Sequence, residues 1–149
     1  MEKRESCRAI VFLDKQMVSM YREKNDRVYY TFPGGGRETG EKLEDCVIRE
    51  VVEEFGIKVN PIREVYTYEN EKTIQHFFLC EWVAGELGTG EGEEFQGDAS
   101  RGIYMPTLVD IERITEIPLM PPEVTKQLND DLKKYGNSLR PEKINIVGE

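Results

Sequence analysis

Apolar runs broken by short polar punctuation set out the chain. Residues 7–13, "CRAIVFL", and 16–23, "QMVSMYRE", read as two strands joined by a turn at Asp14 and Lys15. "RVYYTF" reads as a third strand, and the "PGGG" that follows has loop chemistry. The period then changes. Leu43, Val47, Val51 and Phe55 recur at every fourth position with Ile48 alongside, which predicts a helix over 43–55, and Gly56 stands where a helix ends. "IREVYTYEN" and "TIQHFFLCEWV" predict an antiparallel pair turned at Asn70 to Lys72. A Gly-rich acidic stretch, 84–100, predicts a long loop. "RGIYMPTL" predicts a strand, "VDIERI" a short helix, and "PPEVTKQLNDDLKKYG" a last helix with Pro at its start and Gly at its end. The order implies a mixed sheet with helices packed on it. One domain over 1–136 is expected. Residues 137–149 form a tail in which "KINIV" alternates and reads equally as an edge strand or as a disordered end.

Composition narrows the class. A chain of 149 residues suffices for one domain with a real core. A net charge of −9 argues against broad binding to nucleic acid or to anionic membrane, yet admits phosphate ligands when divalent cations stand between them and carboxylates. No apolar run is long enough to span a bilayer, and the charged N-terminus lacks a signal-peptide core. Cys7, Cys46 and Cys80 are odd in number and have no CxxC spacing; they read as reduced thiols, so a cytoplasmic location is expected.

The chemistry concentrates in "GGGRETGEKLEDCVIREVVEEFGI", residues 34–57. Glu50, Glu53 and Glu54 stand at i, i+3 and i+4, within an arc of roughly 100° that abuts the apolar stripe of Leu43, Val47 and Val51. Carboxylates so spaced repel one another by roughly 0.2–0.5 kcal/mol per pair on an isolated helix. Arg49 offsets part of this, and a divalent cation would offset far more. Gly34, Gly35 and Gly36 let backbone approach a ligand closely, and a carbonyl there could add an oxygen ligand. Glu41 suits the helix N-terminus by its charge and could pair with Arg49 to brace the loop.

These residues resemble the Nudix box, G-x5-E-x7-R-E-U-x-E-E-x-G-U with U a bulky aliphatic residue. Gly35, Glu41, Arg49, Glu50, Val51, Glu53, Glu54, Gly56 and Ile57 match all nine defined positions. The resemblance implies an α/β/α sandwich with a mixed β-sheet and a catalytic loop–helix–loop. It implies a pyrophosphohydrolase acting on a nucleoside diphosphate linked to another group, X, with water attacking phosphorus. Glu50, Glu53 and Glu54 would hold Mg²⁺ or Mn²⁺, with more than one ion once substrate is bound, and the carbonyl of Gly34 would be a further ligand. Glu41 and Arg49 would pair, and Gly35 and Gly56 would serve the turns. The base would be Glu50 or Glu53 within the box, or Glu93 or Glu94 in the later acidic loop.

Beyond the box, Arg8 and Arg22 are candidates for substrate phosphates. Tyr66, Tyr68, Phe78, Trp82 and Tyr104 are candidates for a nucleobase platform, although strand aromatics are more often core. His76, the only histidine, reads as a packed or surface strand residue. The substrate could be an ordinary or oxidised nucleoside triphosphate, a nucleotide sugar or a dinucleoside polyphosphate. Lys72, Thr73, Ile74 and Gln75 supply neither the Pro nor the Tyr that marks some subfamilies beyond the box, which disfavours a specialised ADP-ribose or dinucleoside polyphosphate enzyme. A homodimer would suit the tail and the edge strands. The competing readings are a non-catalytic ligand-sensing or protein-interaction module of the same fold and a calcium-binding structural protein. The intact carboxylates weigh against the first, and residues 85–98 lack the EF-hand pattern the second needs.

Overall fold

Strand β1 (Arg4–Leu13) turns at Asp14 and Lys15 into β2 (Gln16–Lys24), and the two stay paired only at Phe12–Met17 and Leu13–Gln16. In this computed structural model, which describes residues 2–88 and 102–149, the rest of the sheet is built around that early parting. On one side β1 runs parallel to β6 (Thr73–Gly85); β6 pairs antiparallel with β5 (Ile57–Glu69), and β5 parallel with β9 (Ile144–Val147). On the other side β2 lies between β3 (Arg27–Thr31) and β7 (Ile103–Asp110), with β8 (Leu119–Met120) beside β3. The first half of β1, freed from β2, takes β4 (Gly34–Gly36) as an antiparallel neighbour.

Helix α1 (Leu43–Phe55) covers one face, its Cys46, Val47, Val51 and Phe55 packed with Cys7, Ala9, Val11 and Phe78. Helix α2 (Pro122–Tyr135) covers the other, its Val124 and Leu128 packed with Ile10, Tyr66, Phe77 and Leu79. Neighbours Ala9 and Ile10 thus serve opposite cores, as strand alternation requires. Each large apolar side chain fully buried this way contributes about 1.5–3 kcal/mol. The result is the α/β/α sandwich with a mixed sheet.

Several local expectations need correction. Gly34–Gly36 is strand, not loop: a Cβ on Gly34 would lie 1.9 Å from the Cys7 carbonyl oxygen, so only glycine lets this segment lie so close along β1. "VDIERI" is not a helix throughout; β7 continues through Asp110, where it still pairs with Gln16, and only Ile111–Arg113 makes a 3₁₀ turn. β1 begins at Arg4 and β5 at Ile57, earlier than their apolar runs suggest, because pairing with β6 carries the polar ends. Strand β8 carries too few residues to be seen as a pattern. In the tail, Ile144–Val147 pairs with β5, and the Gly148 N–H donates to the Glu69 carbonyl at 2.8 Å. Glu93 and Glu94 lie outside the described residues. Cys7, Cys46 and Cys80 are free and buried. Among the described residues no helix is long and apolar enough to cross a membrane.

Candidate active site

Where β1 and β2 part, a recess of about 370 Å³ opens between the two halves of the sheet. Its walls come from many elements: Arg8 of β1, Arg22 of β2, Thr31 of β3, the β4 glycines, Glu50 and Glu54 of α1, and Tyr104 of β7. It is lined almost wholly by polar groups. A larger concavity of about 1100 Å³, walled by Phe12, Leu13, Ile62, Leu79 and Trp82 among others, shares no residue with it and is mainly apolar. A charged phosphate ligand belongs in the smaller, polar one.

The glycines fix the floor. Gly34 donates its N–H to Glu54 Oε1 at 3.1 Å, and its carbonyl accepts from Arg8 Nη1 at 3.2 Å. That carbonyl keeps a second lone pair. Gly35 lies directly over Glu50, for a Cβ there would stand 2.5 Å from Glu50 Oε2. α1 ends at Gly56, whose φ of 76° and N–H to the Val52 carbonyl close the last turn. Glu53 and Glu54 therefore sit in the last turn of a helix that has no basic residue there, at the negative end of its dipole. That placement is unfavourable without a cation.

Arg49 supplies part of the compensation. It donates to both oxygens of Glu41, from Nε at 2.8 Å and Nη2 at 2.9 Å, to the Gly36 carbonyl at 3.1 Å and to Glu50 Oε1 at 3.0 Å. The pairing holds the Glu41 carboxyl down at about 2 and raises Arg49 further. Burial dominates at Glu50 and pushes its carboxyl up, against the pull of Arg49. Glu53 is exposed, reaches Arg49 Nη1 at 3.5 Å and does not line the recess.

Across the recess, Arg22 stacks on Tyr104 with its guanidinium carbon 4.2 Å from the ring centre, and its Nη2 donates to the Tyr104 hydroxyl. Among the described residues its buried Nε has no hydrogen-bond partner. Arg8 donates also to the Phe32 carbonyl at 3.1 Å and to Gln75 Oε1 at 3.3 Å. Burial opposes its charge, and Glu54 and Glu50 favour it.

Of the residues singled out in the sequence, Gly34, Gly35, Glu50, Glu54, Arg8, Arg22 and Tyr104 share this recess, with Glu41 and Arg49 bracing it from behind. Tyr66 and Phe78 are core side chains, and Trp82 lines the apolar concavity. Tyr68 lines a second recess that meets the first at Arg8 and Thr31. Arg4, on the same face of β1 as Arg8, also lines the first recess; the alternation Arg4, Ser6, Arg8 was the signal for it. His76 is a half-buried strand residue clamped between carboxylates, Nε2 to Glu5 Oε2 at 2.9 Å and Nδ1 to Glu64 Oε2 at 2.8 Å. Glu5 in turn accepts from Arg37 Nε at 2.5 Å, and Arg37 donates to the Glu41 carbonyl at 3.0 Å.

Comparison with known proteins identifies the family and the fold. The NUDIX domain family matches residues 3–106. NAD-capped RNA hydrolase NudC of Citrobacter koseri is 32% identical over 106 residues, covering 68% of this chain and 37% of that protein. ADP-ribose pyrophosphatase of Methanocaldococcus jannaschii is 30% identical over 89 residues, covering 55% of this chain and 53% of that one. The chain thus spans about a third to a half of the length of the curated relatives it matches. Among solved structures, a NUDIX hydrolase from Nitrosomonas europaea has a TM-score of 0.73 at 14% identity, covering 99% of this chain and 80% of that chain. An ADP-ribose pyrophosphatase from Streptococcus suis has a TM-score of 0.67 at 20% identity, covering 99% and 100%. The family match extends over both halves of the sheet that form the recess, and the chain belongs to the NUDIX domain family.

Proposed function

We propose that this protein is a pyrophosphohydrolase that cleaves a nucleoside diphosphate linked to a second group, with Mg²⁺ or Mn²⁺ as cofactor. One observation carries the reading: Glu50 and Glu54 share a recess with Arg8 and Arg22, so carboxylates and guanidinium groups face the same small volume. A polyphosphate satisfies the arginines directly and the carboxylates through a cation.

The donor set fits such an ion in kind. Glu50, Glu54 and the Gly34 carbonyl offer hard oxygens only, and Mg²⁺ is held by one or two carboxylates with substrate phosphates and water completing its shell. The space over Glu50 that a Cβ on Gly35 would fill is left open by the glycine. Among the described residues no three acidic, His or Cys side chains form a ready cage, because Glu53 turns toward Arg49. Two carboxylates and a carbonyl are therefore the expected protein ligands, with Glu53 joining as further ions arrive with substrate.

Bound there, Mg²⁺ or Mn²⁺ supplies neutralisation of the diphosphate charge and a water made more acidic. Arg8 and Arg22 hold the phosphate oxygens and orient the anhydride for attack on phosphorus. Arg49 keeps Glu50 in place and Glu41 keeps Arg49, so the carboxylates do not swing when charge develops. Glu50 and Glu53 in the box, and Glu93 and Glu94 outside the described residues, are the candidate acceptors of the water's proton.

The test is release of phosphate or nucleotide from a panel of ordinary and oxidised nucleoside triphosphates, nucleotide sugars, dinucleoside polyphosphates, ADP-ribose and NAD. ADP-ribose and NAD join the panel because similar proteins bear names that refer to them. Metal-dependent turnover of one class, reduced at least about 100-fold in Glu54→Gln with the fold kept, is expected. Turnover unchanged in Glu54→Gln would sink the assignment of the site.

A further inference from the structure

Glu41 is held at every polar group. Its carboxylate takes Arg49 at both oxygens and the Glu38 N–H at 3.0 Å. Its own N–H donates to the Glu38 carbonyl at 3.0 Å, and its carbonyl accepts from Arg37 Nη1 at 3.0 Å. Through Arg37 the bonding leaves the loop that leads into α1. Arg37 Nε donates to Glu5 Oε1 at 2.5 Å, and the Arg37 N–H donates to the Glu5 carbonyl at 3.0 Å. One guanidinium thus spans from β1 to the Glu41 main chain.

Glu5 is anchored from behind. Its other oxygen meets His76 Nε2 of β6 at 2.9 Å, and His76 Nδ1 meets Glu64 Oε2 of β5 at 2.8 Å. Glu64 also accepts from Thr67 Oγ1 at 2.8 Å. Three neighbouring strands therefore stand behind Arg37. The loop has little support of its own: residues 37–40 are exposed, and a Cβ on Gly40 would meet nothing within 4 Å. Partly exposed ion pairs add little to stability, but a planar guanidinium with donors at fixed angles sets the separation of its two acceptors. Arg37 and Glu5 side chains are 32% and 31% exposed, and neither lines the recess that holds Glu50 and Glu54.

We infer that Arg37 and Glu5 are positioning residues for the carboxylate site: they set the Glu41 main chain, Glu41 sets Arg49, and Arg49 sets Glu50. The inference rests on the assignment of Glu50 to the metal site in the proposed function. Loss of Arg37 loosens Glu50 and leaves Arg8 and Arg22 with their own partners, so turnover and metal affinity fall while the hold on phosphate stays. Arg37 and Glu5 lie 32 residues apart, and Arg37 occupies an unspecified position of the box.

The test compares wild type, Arg37→Ala, Glu5→Gln, their double variant, and Arg37→Ala placed in an Arg49→Lys background. Three quantities are read: kcat and KM for whichever nucleotide is turned over, Mn²⁺ affinity by titration calorimetry, and Tm. Arg37→Ala is expected to lower kcat and Mn²⁺ affinity about tenfold, the low end for an outer partner of a metal ligand. KM should stay within about twofold, and Tm should fall by no more than about 4 °C. Glu5→Gln should act in the same direction, and the double variant should be no worse than Arg37→Ala alone, because both act through one chain of bonds. With Arg49→Lys already in place, Arg37→Ala should cost less than about twofold more. Arg37→Ala that leaves kcat and Mn²⁺ affinity as in wild type overturns the inference. So does a full loss that recurs in the Arg49→Lys background, or a raised KM at unchanged kcat. If Arg37→Ala fails to fold, the isosteric Glu5→Gln decides by the same readings. Absence of turnover on any nucleotide overturns the proposed function, and Mn²⁺ affinity then judges this inference alone: equal affinity in wild type and Arg37→Ala, or none in wild type, overturns it.

Discussion

Arg49 shows how much one side chain carries. Its guanidinium reaches the carboxylates of Glu41, Glu50 and Glu53 and the carbonyl of Gly36. Lysine keeps the charge but not the planar fork, so Arg49→Lys should lose about 2–3 kcal/mol in a urea melt. By freeing Glu50 it should also lower kcat about 100-fold for whichever nucleotide is turned over. His76 makes a second residue-level prediction, in pH. Its two carboxylate partners raise its pKa above the ordinary 6.5, the Glu64 hydrogen bond being the largest cause. The stability it adds is therefore full below about 6.5 and is lost as pH rises through its higher folded value. Glu5 and Glu64 are lowered from 4.5, Glu5 mainly by its bond to His76 and Glu64 by hydrogen bonds to His76 and Thr67 that outweigh its burial. Their share is present above about 4.5 and is lost as pH falls through their folded values. His76→Gln should thus lower Tm most between these limits and least on the alkaline side. A Tm deficit that grows with rising pH would count against the clamp. None of this was readable in the sequence: the histidine's partners lie 71 and 12 residues away and meet only because β1, β6 and β5 are neighbours.

At the scale of elements, the helix of the box was legible because its stripe, its capping glycine and its carboxylates all have local spacing. The short strand before it was not, because three glycines in a row look like loop to any rule based on side chains; what makes them strand is the closeness of β1. Their positions also differ in what they tolerate. A Cβ on Gly35 meets the Glu50 carboxylate at 2.5 Å, whereas on Gly36 the nearest atom is Arg4 Nη2 at 3.6 Å. Gly35→Ala should displace Glu50, costing about 1–3 kcal/mol and most of the activity. Gly36→Ala should leave both within about twofold. Parallel thermal melts and kcat values check the pair, and equal effects would refute the close approach. The arginines across the recess were candidates in the sequence on charge alone. Their common location follows from the parting of β1 and β2, which no spacing along the chain encodes.

For the molecule as a whole, the two faces of the sheet are held differently. The α1 face is closed by apolar packing, while the α2 face also contains a buried polar knot. Asp131 of α2 is 3% exposed and accepts from the Tyr66 hydroxyl at 2.5 Å, Gln127 at 3.1 Å and Arg140 at 3.2 Å. Burial and the neighbouring carboxylate push the Tyr66 phenol up, so it stays a donor. Tyr66→Phe should cost about 1–3 kcal/mol by leaving a buried carboxylate oxygen short of a partner, read as a lower urea midpoint at unchanged m-value. Arg140 extends the knot into the segment that precedes β9, so the end of the chain is tied to the second core as well as to the edge of β5. The early parting of β1 and β2 has a practical corollary. One bank of the cleft carries Glu50 and Glu54, braced by Arg49, and the other, with Met20, Arg22, Thr31 and Tyr104, carries no carboxylate among the described residues. A combinatorial library confined to Met20 and Thr31 of that second bank would reshape the wall opposite the carboxylates while leaving Glu50, Glu54 and the arginines in place.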